Sequence, residues 1–317
     1  MAKISPYQSL GFILSDFKAY YASATLMPVG GFKFRHIRLR TMTGIWKGIR
    51  RDIVNAASFH RVLVHWNEPP RDLYTTVLQF LFPKELRHLT NGVPCLGGPL
   101  VFDFDTISKY ALPSQVELER AKREILLLKD WLYVTYGYRD FSFVFSGHRG
   151  FHLYVNDFDV VNHVKCVDIR NREAQEKRVR TRIAYTALRD GFSIDVNITS
   201  DTHRIIRIPN SLHGRTGLKT VLLPDEKALL RFHLCRSIVF PNDPVPIQIN
   251  TLVPPFCFVG QTYGAFCPGQ HLVLPKAVAY LLILGNYALA NASSTDIERS
   301  EADEVFLNTK LGELARE

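Results

Sequence analysis

The segment Phe141-Ser-Phe-Val-Phe-Ser146-Gly147-His148-Arg149-Gly150-Phe151-His152-Leu-Tyr-Val155 holds two strand-like runs on either side of a Ser-Gly-x-x-Gly turn. Glycine permits a tight reversal, so the stretch reads as a hairpin with Arg149 at its tip and His152 on the polar face of the returning strand. Glycine also lets backbone approach an anion closely. A guanidinium, a hydroxyl and an imidazole can then donate to the anion's oxygens, as a triphosphate requires. An ordinary hairpin with a polar tip and a solvated His would carry the same residues.

Two further segments carry polar residues where an apolar rule would hold. Upstream, Pro99-Leu-Val-Phe-Asp103-Phe-Asp105 alternates as a strand, with Leu100, Phe102 and Phe104 on one face and Val101, Asp103 and Asp105 on the other. Carboxylates about 7 Å apart beside a core resist desolvation unless a cation sits between them. Hard oxygen ligands suit Mg2+ or Mn2+. Standing alone, the pair could equally be two acids at the exposed end of a core strand. Downstream, Ser193-Ile-Asp195 opens another strand with an acid. After a polar turn the chain returns as Arg204 to Ile208, with Arg204 and Arg207 on opposite faces. Pro209 ends that strand. Ser211, His213, Gly214, Arg215, Thr216 and Gly217 then make a loop suited to phosphate or a nucleic-acid backbone. Taken singly, each could be a turn former or a surface charge.

Around these segments the chain reads as one compact body of interleaved helices and strands, without repeats or low-complexity linkers. Tyr7 to Ala24 reads as an aromatic helix, Phe32 to Arg40 as a strand, Gly44 to Ala57 as a helix and His60 to Trp66 as a strand. Apolar residues at Val116, Leu118, Ala121, Ile125, Leu128 and Leu132 predict a helix over 114–134, with Ser114 as N-cap and Glu117 completing a capping box. Lys165 to Arg182 reads as a charged helix face.

The 317 residues are 46% hydrophobic and 12% aromatic, which excludes a disordered or fibrous chain. Net charge is +9, and residues 1–291 hold 36 bases against 23 acids, leaving an acidic end from Ala292 onward. Such a body attracts polyanions. Between Gly31 and Arg51 stand seven bases and no acid, interleaved with Phe32, Phe34 and Trp46. That pattern suits a single-strand backbone as well as a solvated basic face. Five widely spaced cysteines without a CxxC pair fit neither a disulfide framework nor a four-thiolate zinc site, and point to the cell interior. Cys257, Cys267 and His271 could be imagined as ligands, but unpaired thiols are the commoner case. The opening residues lack a signal peptide's basic flank and apolar core, and the run Ala277 to Gly285 is about half a membrane span.

In combination, VFDFD, SGHRGFHLYV and DVNITSDTHRIIRIPNSLHGRTGL resemble the motif set of the archaeo-eukaryotic DNA primase small subunit, archaeal type. Weaker similarity extends from the N-terminal helix to LPKAVAYLLILGNY. The resemblance implies an α+β catalytic fold, mixed sheets flanked by helices, occupying 1–317 as one domain with 292–317 peripheral. It implies template-directed primer synthesis on single-stranded DNA from nucleoside triphosphates, a large-subunit partner with an iron-sulfur domain, and no membrane association. Carried over by position, Asp103, Asp105 and Asp195 are expected to hold two divalent ions. Ser146, Arg149, His152, Arg207 and His213 are expected to contact the nucleotide, with Arg204 and Arg215 as further candidates. Two positions depart from the pattern: His148 stands where relatives often place Arg, and GGFKFRHIRLR, with Arg35, matches only loosely the family's basic-aromatic motif. Relatives often carry a Cys/His zinc module between the first two motifs, whereas residues 106–145 contain no Cys or His, so structural zinc is expected to be absent. The alternatives are a non-catalytic nucleic-acid-binding accessory protein of the same fold, and a repair or plasmid primase-polymerase using the same site.

Overall fold

The structure is a computed structural model that describes residues 11–51, 53–66, 68–86, 93–105, 115–167, 170–240 and 242–290. Its strands are β1 (Ile37–Arg40), β2 (Trp46–Gly48), β3 (Asp72–Thr76), β4 (Gln79–Phe80), β5 (Cys95–Gly97), β6 (Leu100–Asp105), β7 (Phe141–Phe145), β8 (Gly150–Val155), β9 (Ile205–Arg207), β10 (Val221–Leu223), β11 (Pro244–Ile249), β12 (Phe256–Phe258), β13 (Gln261–Tyr263), β14 (His271–Pro275) and β15 (Ala288–Ala290). Its helices are α1 (Gly11–Ser23), α2 (Ala56–Val64), α3 (Gln115–Tyr136), α4 (Arg172–Arg189), α5 (Val196–Ser200), α6 (Glu226–Leu230) and α7 (Lys276–Leu284).

Two four-stranded antiparallel sheets organise the molecule, one in the order β10-β7-β8-β6 and the other β2-β1-β3-β9. In the first, alternation sends Leu100, Phe102, Phe104, Phe143, Phe145, Phe151 and Leu153 to one side. There they join Leu118, Ala121, Ile125, Leu128 and Leu132 of α3 in the main core, which runs from Ile13 to Ala288. The opposite face of that sheet begins with Val101, Val144 and Tyr154, which pack with Val77, just past β3, and with Ile206 of β9. A small apolar floor thus joins the two sheets. One residue pair further along β6 and β8 the same face turns polar.

Several expectations are corrected. Residues 44–57 are not a helix: Trp46, Lys47 and Gly48 pair with Arg40, Leu39 and Arg38 in a β-hairpin. Residues 60–66 are not a strand. Residues 60–64 belong to α2, whose N-cap Asn55 and Ser58 form a reciprocal capping box and whose Phe59, Val62 and Leu63 are buried at helical spacing. The strand expected from Phe32 starts only at Ile37, because Phe34 adopts a left-handed backbone (φ 63°) that breaks the alternation. Asp195 is not in a strand; its side chain accepts from the Asn197 amide and caps the short α5. α1 and α3 match the expected helices, while Ser114 and the acidic segment 292–317 lie outside the described residues. The apolar run 277–284 is the buried helix α7, and no helix among the described residues is long and apolar enough to cross a membrane.

The charged stretch 165–182 runs into helix α4 with Lys177, Arg178 and Arg182 exposed, but two of its charges are buried. Glu176 and Arg180 of α4 are 0% and 2% exposed. Arg180 Nε donates to Glu176 Oε2 at 2.9 Å, and its terminal nitrogens donate to the carbonyls of Pro99 and Gly98 at 2.9 and 2.7 Å. The pair therefore fixes the chain where it begins β6. Removing one partner leaves an uncompensated buried charge, so Arg180→Met is expected to cost roughly 3–5 kcal/mol in urea unfolding. Exposed Lys177→Ala on the same helix should stay within about 0.5 kcal/mol. Equal effects would mean that the pair does not anchor β6.

Candidate active site

Cross-strand register sets the first part of the site. Asp103 stands opposite His152, and His152 opposite Val144, while Asp105 stands opposite Gly150. A Cβ on Gly150 would lie 2.0 Å from the Phe104 carbonyl oxygen and 2.8 Å from Asp105 Oδ1, so only glycine lets β6 and β8 approach there. The Ser146 and Gly150 backbones close the turn, and the Gly150 amide also reaches Ser146 Oγ at 3.3 Å. Arg149 projects from the tip with a terminal nitrogen 3.6 Å from Asp105 Oδ2.

The second part is the loop after β9. Thr216 Oγ1 donates to the Gly147 carbonyl at 2.7 Å, which ties this loop to the hairpin turn. His148 of the turn stacks on His213 of the loop, with ring centroids 4.9 Å apart. His213 Nδ1 accepts from the Arg215 amide at 3.2 Å, so its neutral ring carries the proton on Nε2 as a donor. Arg215 itself is exposed.

The third part lies in residues the sequence reading passed over. Asp72 on β3 is fully buried. Its Oδ2 accepts from Arg40 Nε at 2.8 Å and from a terminal nitrogen of the same guanidinium. Its Oδ1 accepts from Arg207 at 3.2 Å and from the Gly214 amide at 2.8 Å. A Cβ on Gly214 would meet Asp72 Oδ2 at 2.4 Å, so the loop can dock on the carboxylate only as glycine. The available signal was slight: an acid beside Arg71 at the start of the strand-like run Leu73 to Leu78.

Burial dominates the electrostatics. It pushes Asp103 up to about 6, with the charge of Asp195 adding to the rise and Arg204 and Arg207 opposing it. Asp105 is raised first by burial and then by Asp103, against Arg149, His152 and Arg207. Burial pulls His152 down to about 3, helped by Arg207 and Arg204. At neutral pH it is therefore uncharged, and its 3.6 Å approach to Asp103 Oδ1 is not an ion pair. His213 is likewise held well below its ordinary value, first by burial and then by neighbouring Arg207, His148, Arg215 and Arg40.

Asp103 Oδ1, Arg149 Nε, His152 Nδ1, Arg207 Nε and Ser211 Oγ are buried polar atoms with no hydrogen-bond partner among the described residues. Buried polar groups are ordinarily satisfied, so such a concentration marks a place built for a polar ligand. The structure thus gathers Asp103, Asp105, Ser146, His148, Arg149, His152, Arg207 and His213 around one cleft, with Arg204 and Asp195 coupled to Asp103 by charge. Arg35 is buried, and its guanidinium donates to the Thr76 and Val77 carbonyls at 2.5 and 2.6 Å, with Nε unpartnered among the described residues.

Residues 102–223 match the sequence profile of the family described as DNA primase small subunit. The DNA primase small subunit of Archaeoglobus fulgidus is 26% identical over 271 residues, covering 68% of this chain and 78% of its own. That of Pyrobaculum arsenaticum is 30% identical over 226 residues, covering 60% of this chain and 67% of its own. The chain belongs to the DNA primase small subunit family. The matched profile contains both sides of the cleft, from Asp103 to the loop at His213, and ends within β10. Among solved structures, the polymerase domain of Mycobacterium tuberculosis ligase D in complex with DNA aligns with 73% of this chain and 89% of its own, at TM-score 0.44 and 15% identity.

Two expectations follow from the geometry. Asp72→Ala should destabilise the protein by roughly 3–5 kcal/mol, and a double-mutant cycle with Arg207→Ala should show a coupling of about 1–3 kcal/mol; simple additivity would mean the two do not act as a unit. Because the folded chain holds His213 neutral, its contribution to stability is present above the free imidazole value of about 6.5 and is lost as pH falls below it. His213→Asn should therefore lose less melting temperature than the parent between about pH 7.5 and about pH 5.5.

Proposed function

We propose that this chain is the catalytic subunit of a DNA primase. It joins nucleotides on a single-stranded DNA template by attack of a 3'-hydroxyl on the α-phosphorus of a nucleoside triphosphate. The new P–O bond replaces the bond to the β-phosphate oxygen, pyrophosphate departs, and the hydroxyl proton passes to solvent. The observation that carries this reading is the unpartnered Asp103 Oδ1, buried at a site that also holds unpartnered nitrogens of Arg149, His152 and Arg207. A pure binder of polyanions gains nothing from carboxylates in a basic cleft.

In this reading the donors hold the triphosphate. Arg149 and Arg207 supply fixed positive charge, and neutral His152 and His213 supply N–H groups without carrying charge into the buried wall. Ser146 adds a hydroxyl beside the turn. Asp72 leaves one edge of Arg207 free for ligand, because only a terminal nitrogen is committed to it. Such positioning is the chain's main contribution to a phosphoryl transfer.

Asp103, Asp105 and Asp195 are the proposed ligands of two divalent cations, Mg2+ or Mn2+. The donor set suits them: Asp103 Oδ1 is buried and unpartnered, its burial disfavours charge unless a cation compensates it, and Asp105 beside it adds like charge. Among the described residues no group of three or more His, Cys, Asp or Glu side chains that could by itself hold a metal ion is present. Mg2+ does not need one, since it keeps waters and takes substrate phosphate oxygens alongside one or two carboxylates. When bound, such ions activate the hydroxyl and neutralise charge on the α-phosphate and the departing pyrophosphate.

We further infer one catalytic domain over 1–317 with a peripheral acidic end, a large-subunit partner as the small-subunit family name implies, and action in the cytoplasm. Template-dependent incorporation of labelled nucleotide tests the reading. Asp105→Ala should abolish incorporation while leaving the melting profile of the protein intact. Arg149→Ala should weaken nucleotide use by about tenfold or more, chiefly in KM. Undiminished activity in a folded Asp105→Ala protein would overturn the metal assignment, and unchanged KM and kcat in Arg149→Ala the phosphate contact.

A further inference from the structure

The sheet β2-β1-β3-β9 has one face buried in the core and one that the catalytic reading uses only at its β9 edge. Register places Trp46 opposite Arg40, Arg38 opposite Tyr74, and Tyr74 opposite Arg207, all on that second face. The rings and guanidiniums touch in sequence. The Arg38 and Arg40 guanidinium carbons lie 5.1 and 5.9 Å from the Trp46 ring centroid, Trp46 lies 5.2 Å from Tyr74, and Arg207 lies 5.0 Å over Tyr74. Trp46, on the edge strand β2, stays 43% exposed. The face therefore runs from an exposed indole to the guanidinium whose charge acts on Asp103. Three strand spacings make this about 14 Å, the length of about four stacked nucleotides.

The charge of the face selects the ligand. Among the four strands the only carboxylate is Asp72, which is fully buried and committed to Arg40, Arg207 and the Gly214 amide. Cations beside an exposed aromatic platform are the arrangement that holds single-stranded nucleic acid, with rings taking bases and guanidiniums taking phosphates. The stretch that matches the family profile begins at residue 102 and includes neither Trp46 nor its neighbours.

We propose that Trp46, seated on Arg38 and Arg40, is a stacking platform for a base of the single-stranded template, and that the strand continues over Tyr74 toward Arg207. This rests on the primase reading for the direction of the strand, but binding can be measured without catalysis. Labelled oligothymidine is titrated into the full chain, following anisotropy and intrinsic tryptophan fluorescence. Trp46→Ala should raise Kd by about tenfold or more. Trp46→Phe should keep most of the affinity but abolish the fluorescence quenching seen with the parent. Arg38→Ala should reduce the slope of log affinity against log salt by about one. The KM for nucleoside triphosphate at saturating template should stay unchanged in both Trp46 variants.

Three results would overturn the proposal: no fluorescence change when the parent binds oligothymidine, unaltered affinity in Trp46→Ala, or a raised nucleotide KM with unaltered oligothymidine affinity. The last would put the incoming nucleotide's base on the ring. Should Trp46→Ala fail to fold, parent quenching and its loss in Trp46→Phe decide the matter. A parent that binds oligothymidine but makes no primer would count against the primase reading and leave the Trp46 result standing.

Discussion

The carboxylate of Asp72 is fully buried and accepts hydrogen bonds from two guanidiniums and a loop amide. Those donors come from β1, β9 and the loop after Pro209, segments far apart in the chain. Charge buried this deeply is stable only with its partners in place, so the carboxylate and its donors specify one another's positions. Two consequences reach the cleft. Arg207 is held with Nε unpartnered, and the loop at Gly214 is drawn down so that His213 stacks on His148 of the hairpin turn.

The opposite wall depends on a second buried charge. Arg180 grips the carbonyls of Gly98 and Pro99 and is itself held by Glu176, so β6 enters its sheet from a fixed point. Phe102 and Phe104 then pack under α3 and leave Asp103 and Asp105 on the cleft side. Between the two walls Val77, Val101, Val144, Tyr154 and Ile206 seal the base. Water reaches Asp103 poorly there, which is the physical cause of its raised pKa and of the strength that any charge placed beside it would feel.

The basic surplus of the chain divides accordingly. Arg35, Arg180 and Lys122 are buried and bind backbone carbonyls, Lys122 reaching Phe232 at 2.6 Å. Those contacts hold the fold together. Arg149 and Arg207 line the cleft, while Arg38 and Arg40 line the sheet face beside it. A net charge counted from sequence mixes these three groups.

Local periodicity was enough to read α3, the hairpin of β7 and β8 and the carboxylate-bearing β6, because each alternation or helical stripe is complete within its own segment. It failed at 44–66, where short apolar runs suit either period and the Asn55–Ser58 capping box and the pairing with β1 decided the outcome. It failed at Asp195 because one acid before a short polar run does not distinguish a strand from a helix cap. The motif residues Asp103, Asp105, Arg149, His152, Arg207 and His213 were legible as chemistry, since their types and spacing depend on no distant contact. What only the tertiary structure decided is which charges are spent and which are free. Asp72, Arg180 and Arg35 look like surface residues in one dimension, and burial against partners up to 142 positions away gives them their roles.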